Sequence, residues 1–142
     1  MYEFKTQRKI EFADTDMGGI THFSRFFVFM ETAEHEFLEA IGSSVALEVD
    51  GKHVGWPRVS ASCEYKRPAR FGEVIDIHVR VRRKGGKSMT YEFTFSRDGE
   101  QLAAGRMTSV CCVLDPSEDV RAIPIPPFVA DKLDEPPPDR ER

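Results

Sequence analysis

Little in this chain is arranged for metal, redox or membrane chemistry. Its 142 residues include three cysteines and one tryptophan. Cys63, Cys111 and Cys112 form no C-x-x-C pair and have no histidine at metal-ligand spacing. They are expected as reduced, buried thiols, and no metal, flavin or nicotinamide cofactor is indicated. No run approaches the ~18 apolar residues of a membrane span. The opening MYEFKTQRKIEF alternates charged and apolar residues where a secretory signal needs a continuous apolar stretch. The expected location is therefore cytoplasmic, with no membrane partner. Basic residues are not in excess: 20 Lys and Arg stand against 24 Asp and Glu, a net charge of −4. This argues against a nucleic-acid partner, although a local basic cluster can still hold a small anion. No G-x-x-x-x-G-K-[ST] loop precedes a helix, and no internal repeat is visible.

The composition that remains, 40% hydrophobic and 31% charged, is that of an ordinary folded domain. Residues 2–12 alternate as a half-buried strand, ending at the polar ADTD. From Ser24 the period changes: Phe26, Phe27, Met30, Ala33, Phe37, Leu38 and Ile41 fall at helical steps, with glutamates between them. Ser24 or Thr21 can cap this helix, and Gly42 can end it in a left-handed turn. GSSVALEVDGKHVGW is read as a loop or short irregular segment. Strands are expected at about 57–67, 73–84, 87–97 and 101–115, separated by glycine-containing polar turns and joined mostly as an antiparallel meander. The expected class is α+β, a curved antiparallel sheet around one long apolar helix. Residues 1–130 are read as a single domain. Residues 131–142 are read as a charged, proline-rich tail, with 124 onward lying along the surface and the last eight residues disordered.

The chemistry concentrates in ADTDMGGITHFSRFF, residues 13–27. Asp14 and Asp16 precede a helix N-terminus, whose unpaired amides and dipole favour negative charge. Gly18 and Gly19 let the chain turn tightly and bring amides close to a ligand. Such a place can stabilise an oxyanion beside a carboxylate that serves as base or nucleophile. A pair of aspartates that merely caps a turn fits the same residues.

EFADTDMGGITHFSRFFVFMETAEHEFLEAIG resembles the signature of the 4-hydroxybenzoyl-CoA thioesterase-like family. VSASCEYKRPARFGEVIDIHVRV and GGKSMTYEFTF resemble that family's following strands, and the likeness runs from about residue 3 to 125. The resemblance implies the hotdog fold, hydrolysis of acyl-CoA thioesters, and homodimers that commonly pair into homotetramers. By motif position it implies that Asp16 is the catalytic carboxylate, with Asp14 in support, and that the Phe23 backbone amide is the oxyanion donor. His22 stands where the family more often carries another residue, so catalysis, substrate positioning and capping all stay open for it. Glu31 stands where the family often carries an acid, and Glu34 lies one turn on. Gly19 and Thr21 are assigned to substrate contact. Arg82, Arg83, Lys84, Lys87 and Ser88, around a glycine turn, are assigned to the phosphates of coenzyme A, although such charges also protect sheet edges.

The activity expected is thus an acyl-CoA thioesterase, with coenzyme A entering only as part of the substrate. A non-catalytic acyl-CoA-binding or assembly module is the alternative. A hotdog dehydratase or hydratase fits less well, because THFSRFF lacks the glycine-proline context around such an enzyme's histidine.

Overall fold

In the computed structural model, described over residues 1–138, the alternating N-terminal run forms β1 (Glu3–Lys9), followed by a 3-10 turn at Phe12–Asp14 and one long helix, α1 (Arg25–Ala40). Next come β2 (Leu47–Val49), β3 (Lys52–Gly55), β4 (Arg58–Tyr65), β5 (Val74–Lys84), β6 (Ser88–Arg97) and β7 (Glu100–Val110). The short β8 (Cys112–Val113), β9 (Arg121–Ala122) and a single helical turn, α2 (Pro127–Ala130), follow. The class is α+β, an antiparallel sheet with one long helix. The main sheet has the order β1-β5-β6-β7-β4, and a smaller one has the order β2-β3-β8-β9.

The helix is where its periodicity places it. Phe26, Phe29, Met30, Ala33, Phe37 and Leu38 are buried along one stripe, with Phe29 taking a core place and Phe27 only partly buried. The stripe lies against the main sheet: Phe26 meets Phe95 edge-on at 5.2 Å, and Phe37 meets Tyr91 at 6.1 Å and Phe4 at 5.8 Å. Each fully buried aromatic contributes about 1.5–3 kcal/mol. Close approach depends on Gly105 of β7, where a Cβ would collide with the Met30 sulfur. The helix ends as expected at Gly42, φ +81°: its N–H bonds Glu39 O at 2.9 Å and the Ser43 N–H bonds Leu38 O at 2.8 Å, the paired bonds of a Schellman stop.

Several expectations change. The segment read as a loop before Trp56 holds the hairpin β2–β3, turned by Asp50 (φ +53°) and Gly51 (φ +76°). An Asp-Gly pair supplies the two positive φ angles that a two-residue hairpin needs, and its strands are too short to show a period. The meander holds for β5–β6–β7, whereas β4 pairs with β7 at the far edge and not with β5. The run 101–115 is split at Cys111, where the chain leaves the main sheet for the smaller one. Cys111 and Cys112 are buried, but Cys63 is partly exposed. Beyond residue 123 the chain does more than follow the surface, since Ile125, Val129 and Leu133 are buried in the core. Glu135 accepts the Lys84 N–H at 2.8 Å. The remainder of the expected disordered tail, residues 139–142, lies outside the described residues.

Candidate active site

Between β1 and α1 the chain builds two different aspartates. Asp14 is fully buried. Its Oδ2 accepts the Glu11 N–H at 2.8 Å, and its Oδ1 accepts from Arg25 Nε at 2.8 Å and Nη2 at 2.7 Å. The Arg8 guanidinium stands 3.7 Å away and covers the Phe29 ring at 5.0 Å. The Asp14 carbonyl also accepts the His22 N–H at 2.7 Å. Asp14 therefore fastens the loop to the first turn of the helix, and every face of its carboxylate is committed.

Asp16 is only half-buried. Its main chain closes a small hairpin, with Asp16 N to Ile20 O at 2.8 Å and Gly19 N to Asp16 O at 3.0 Å. Gly19 takes φ +77° in that turn. The Asp16 Oδ1 accepts the Gly18 N–H at 2.8 Å, and the other carboxylate oxygen has no hydrogen-bond partner among the described residues. Two cavities open on this side chain. One, about 510 Å³, is walled by Ile20, Phe23, Phe26 and Tyr65 and includes Lys66 and Arg67. The other, about 680 Å³, is walled by Phe12, Met17 and Phe71 and touches Gly19.

The Phe23 N–H donates to no group among the described residues. The neighbouring amides are taken: Ser24 N–H by His22 Nδ1 at 3.2 Å and Arg25 N–H by the His22 carbonyl at 2.9 Å. The Phe23 carbonyl in turn accepts the Tyr65 hydroxyl at 2.7 Å, which holds the following Phe23–Ser24 peptide. Phe23, with its unengaged amide, and the half-buried Asp16 thus line one largely apolar cavity at a helix start.

The other expected site residues fare differently. Neither Ser24 nor Thr21 caps the helix. Ser24 is already helical, and the Thr21 hydroxyl donates to Ala69 O at 2.9 Å. The cap is His22, whose Nδ1 also meets Ser24 Oγ at 2.7 Å while its ring stacks on Phe23. Thr21 still lines the smaller cavity and Gly19 the larger. Glu31 lines neither; it is exposed, 3.8 Å from Arg58. Glu34 is the buried one, 1% exposed, held by Arg58 Nη2 at 2.5 Å and Ser109 Oγ at 3.1 Å. Burial pushes its carboxyl up to about 7, against the pull of Arg58.

Arg82, Arg83, Lys84, Lys87 and Ser88 are not brought to Asp16 within one chain. Val74 of β5 pairs with Lys9 near the Asp16 loop, and Lys84 lies at the strand's other end. At ~3.3 Å per residue the two ends are roughly 33 Å apart. Lys84 spends its ammonium on Ala130 O at 2.6 Å. The cations that do share the Asp16 cavity, Lys66 and Arg67, were legible only as a basic YKRPAR turn. The bridge between Ile20 and Arg70 that carries this turn to the site is long-range and has no local signal.

A carboxylate and a free amide at a helix start beside an apolar cleft are groups of the kind that acyl transfer uses. The chain belongs to the Thioesterase-like superfamily, which matches residues 10–133. A 1,4-dihydroxy-2-naphthoyl-CoA hydrolase from Prochlorococcus marinus is 30% identical over 105 residues, 69% of each chain. A crystal structure of a hypothetical protein from Thermus thermophilus superposes with TM-score 0.80 at 30% identity, covering 91% of this chain and 95% of that one. A 4-hydroxybenzoyl-CoA thioesterase mutant, complexed with 4-hydroxybenzoyl-CoA, superposes with TM-score 0.78 over 94% of this chain and 100% of that one. At 18% identity it shows the hotdog fold alone. The chain is a thioester hydrolase.

Proposed function

We propose that this chain hydrolyses acyl-CoA thioesters with Asp16 as the reacting carboxylate. The observation that carries the reading is that Asp16 and Phe23, whose N–H has no partner among the described residues, line one largely apolar cavity. A thioester carbonyl directed at Phe23 N–H gains negative charge as its carbon is attacked, so the amide binds the transition state more tightly than the substrate. Two routes fit. In one, an Asp16 oxygen attacks the carbonyl carbon, the C–S bond breaks, the thiolate of coenzyme A leaves, and water hydrolyses the resulting anhydride. In the other, Asp16 takes a proton from water as that water attacks. His22 acts by holding the helix start, because its Nδ1 is occupied by Ser24. No step calls for a metal or a resident cofactor.

The functional unit is proposed as a homodimer or a dimer of dimers in the cytoplasm. Strand β4 supports this: it is an edge strand whose exposed residues, Val59, Ser60, Ala61, Ser62, Glu64 and Tyr65, carry a single charge near one end. An unprotected edge of that composition invites a second copy. Such pairing is also the way the distant 82–88 turn of another subunit could approach a cavity, and it would let the sheets wrap their helices.

The test is thiol release from aliphatic and aromatic acyl-CoAs by the wild type, Asp16→Asn and Asp16→Ala, each confirmed as folded. Loss of a general base or nucleophile should lower the rate about 100- to 10,000-fold. Equal thiol release by all three proteins would overturn the assignment.

A further inference from the structure

We infer that Lys66 and Arg67 form a subsite for an acyl group that ends in a carboxylate. The inference rests on the thioesterase reading of Asp16 and concerns which thioesters that site prefers. The two cations line the same cavity of about 510 Å³ as Asp16, among the apolar walls of Ile20, Phe23, Phe26 and Pro68. Their charged ends rest on Gln101 and Glu100 just outside it, and charged groups at the margin of an apolar cleft mark where a charged part of a ligand is met.

Their present partners are weak. Arg67 Nη1 reaches Glu100 at 3.1 Å, but the two side chains are 60% and 46% exposed. Exposed pairs of this kind contribute little to stability and give way readily to another partner. Among the described residues, Lys66 Nζ meets only the neutral Gln101 Oε1 at 3.3 Å. Most of their donors stay free for a ligand, and an arginine fork suits a carboxylate bidentately. The backbone beneath them is nonetheless fixed. Lys66 N–H and Arg67 N–H both donate to Leu102 O, at 2.8 and 3.0 Å, and Tyr65 is tied to Phe23. A third cation adds to the local potential: Arg70 Nη1 lies beside Gly19, 4.0 Å from the place a Cβ would occupy there.

The anion concerned belongs to the acyl side: coenzyme A carries its phosphates beyond the long pantetheine arm, whereas Lys66 and Arg67 line the same cavity as Asp16. A carboxylate a few carbons from the reacting carbonyl falls within it.

The experiment compares glutaryl- with pentanoyl-CoA and adipyl- with hexanoyl-CoA, using the full chain as wild type and as the Lys66→Ala/Arg67→Ala variant. The same four acyl groups are also presented as N-acetylcysteamine thioesters, which lack phosphates. The variant should lose about 10- to 100-fold in kcat/KM on the carboxylated substrates, as charged hydrogen bonds imply. The loss should persist without phosphates, while the uncharged partners change less than twofold. Lys66→Arg should restore part of the loss. An equal loss on charged and uncharged acyl-CoAs that vanishes with N-acetylcysteamine would make the pair phosphate readers and overturn the proposal. No loss on any substrate would overturn it as well, with the Asp16 reading intact. A wild type that hydrolyses none of the thioesters would remove both.

Discussion

Gly18 has no side chain where the Asp16 carboxylate needs room: Asp16 Oδ1 accepts the Gly18 N–H at 2.8 Å, and a Cβ on Gly18 would come within 3.1 Å of that oxygen. A methyl group there must push the carboxylate aside by a few tenths of an ångström. Gly18→Ala should therefore lower kcat about tenfold with little change in melting temperature, because a small misplacement of a reacting group is costly to rate. Gly19→Ala should show the opposite balance. Its φ of +77° makes any side chain strained, at about 1 kcal/mol of stability. Steady-state kinetics beside thermal unfolding of the two variants checks the contrast.

Asp14 and Asp16 should separate in the same two measurements. Asp14→Ala leaves Arg25 without its partner and the Glu11 N–H without an acceptor. Breaking a buried pair costs about 3–5 kcal/mol, and with Arg25 itself one-third exposed the low end, about 3 kcal/mol, is expected. Asp16→Asn, which keeps an oxygen for the Gly18 amide, should unfold within about 0.5 kcal/mol of the wild type while losing activity. Urea titrations read both numbers.

Glu34 should leave a signature in the pH dependence of stability. Its carboxyl is held at about 7 in the folded chain, by burial first, against a usual value of 4.5. Below pH 4.5 both folded and unfolded chains carry the proton, so Glu34 adds no penalty. Between pH 4.5 and 7 the unfolded chain releases the proton while the folded chain keeps it, so stability falls as the pH rises. Above 7 the loss is complete, at most about 3 kcal/mol. Glu34→Gln should abolish this fall relative to the wild type. Parallel slopes for the two proteins from pH 5 to 7.5 would contradict it.

The β4 edge offers a direct test of assembly. Ala61→Lys puts a charge in the middle of an exposed edge strand without touching the core, a device that blocks edge pairing. Sedimentation should show the wild type as a dimer or larger at micromolar concentration and the variant shifted toward monomer. A monomeric wild type would dismiss the pairing.

The elements read best from sequence are those whose order is local. The helix announces itself through aromatic spacing and its Gly42 stop, and β5–β6–β7 through two glycine turns. Asp16 is legible because the motif around it is contiguous. The site's remaining walls are not, because Tyr65, Lys66 and Arg67 reach Asp16 through long-range contacts, Ile20 with Arg70, Thr21 with Ala69 and Phe23 with Tyr65, between residues far apart in sequence. Glu31 and Glu34 look alike on a helical wheel. Only Arg58 from β4 and Ser109 from β7 make one a buried anchor and leave the other in water. The distance of the basic 82–88 turn from Asp16 within one chain is not legible either: closeness to a motif along the chain says nothing about which end of an eleven-residue strand a turn occupies.

Met17 and Met30 stand at opposite extremes, one fully exposed on the larger cavity and the other sealed against Gly105. Peroxide reaches the exposed thioether first, and a sulfoxide there turns a greasy wall polar while leaving the fold untouched. Oxidative damage to this enzyme should consequently begin as a change in which thioesters it accepts, well before it becomes a loss of folded protein.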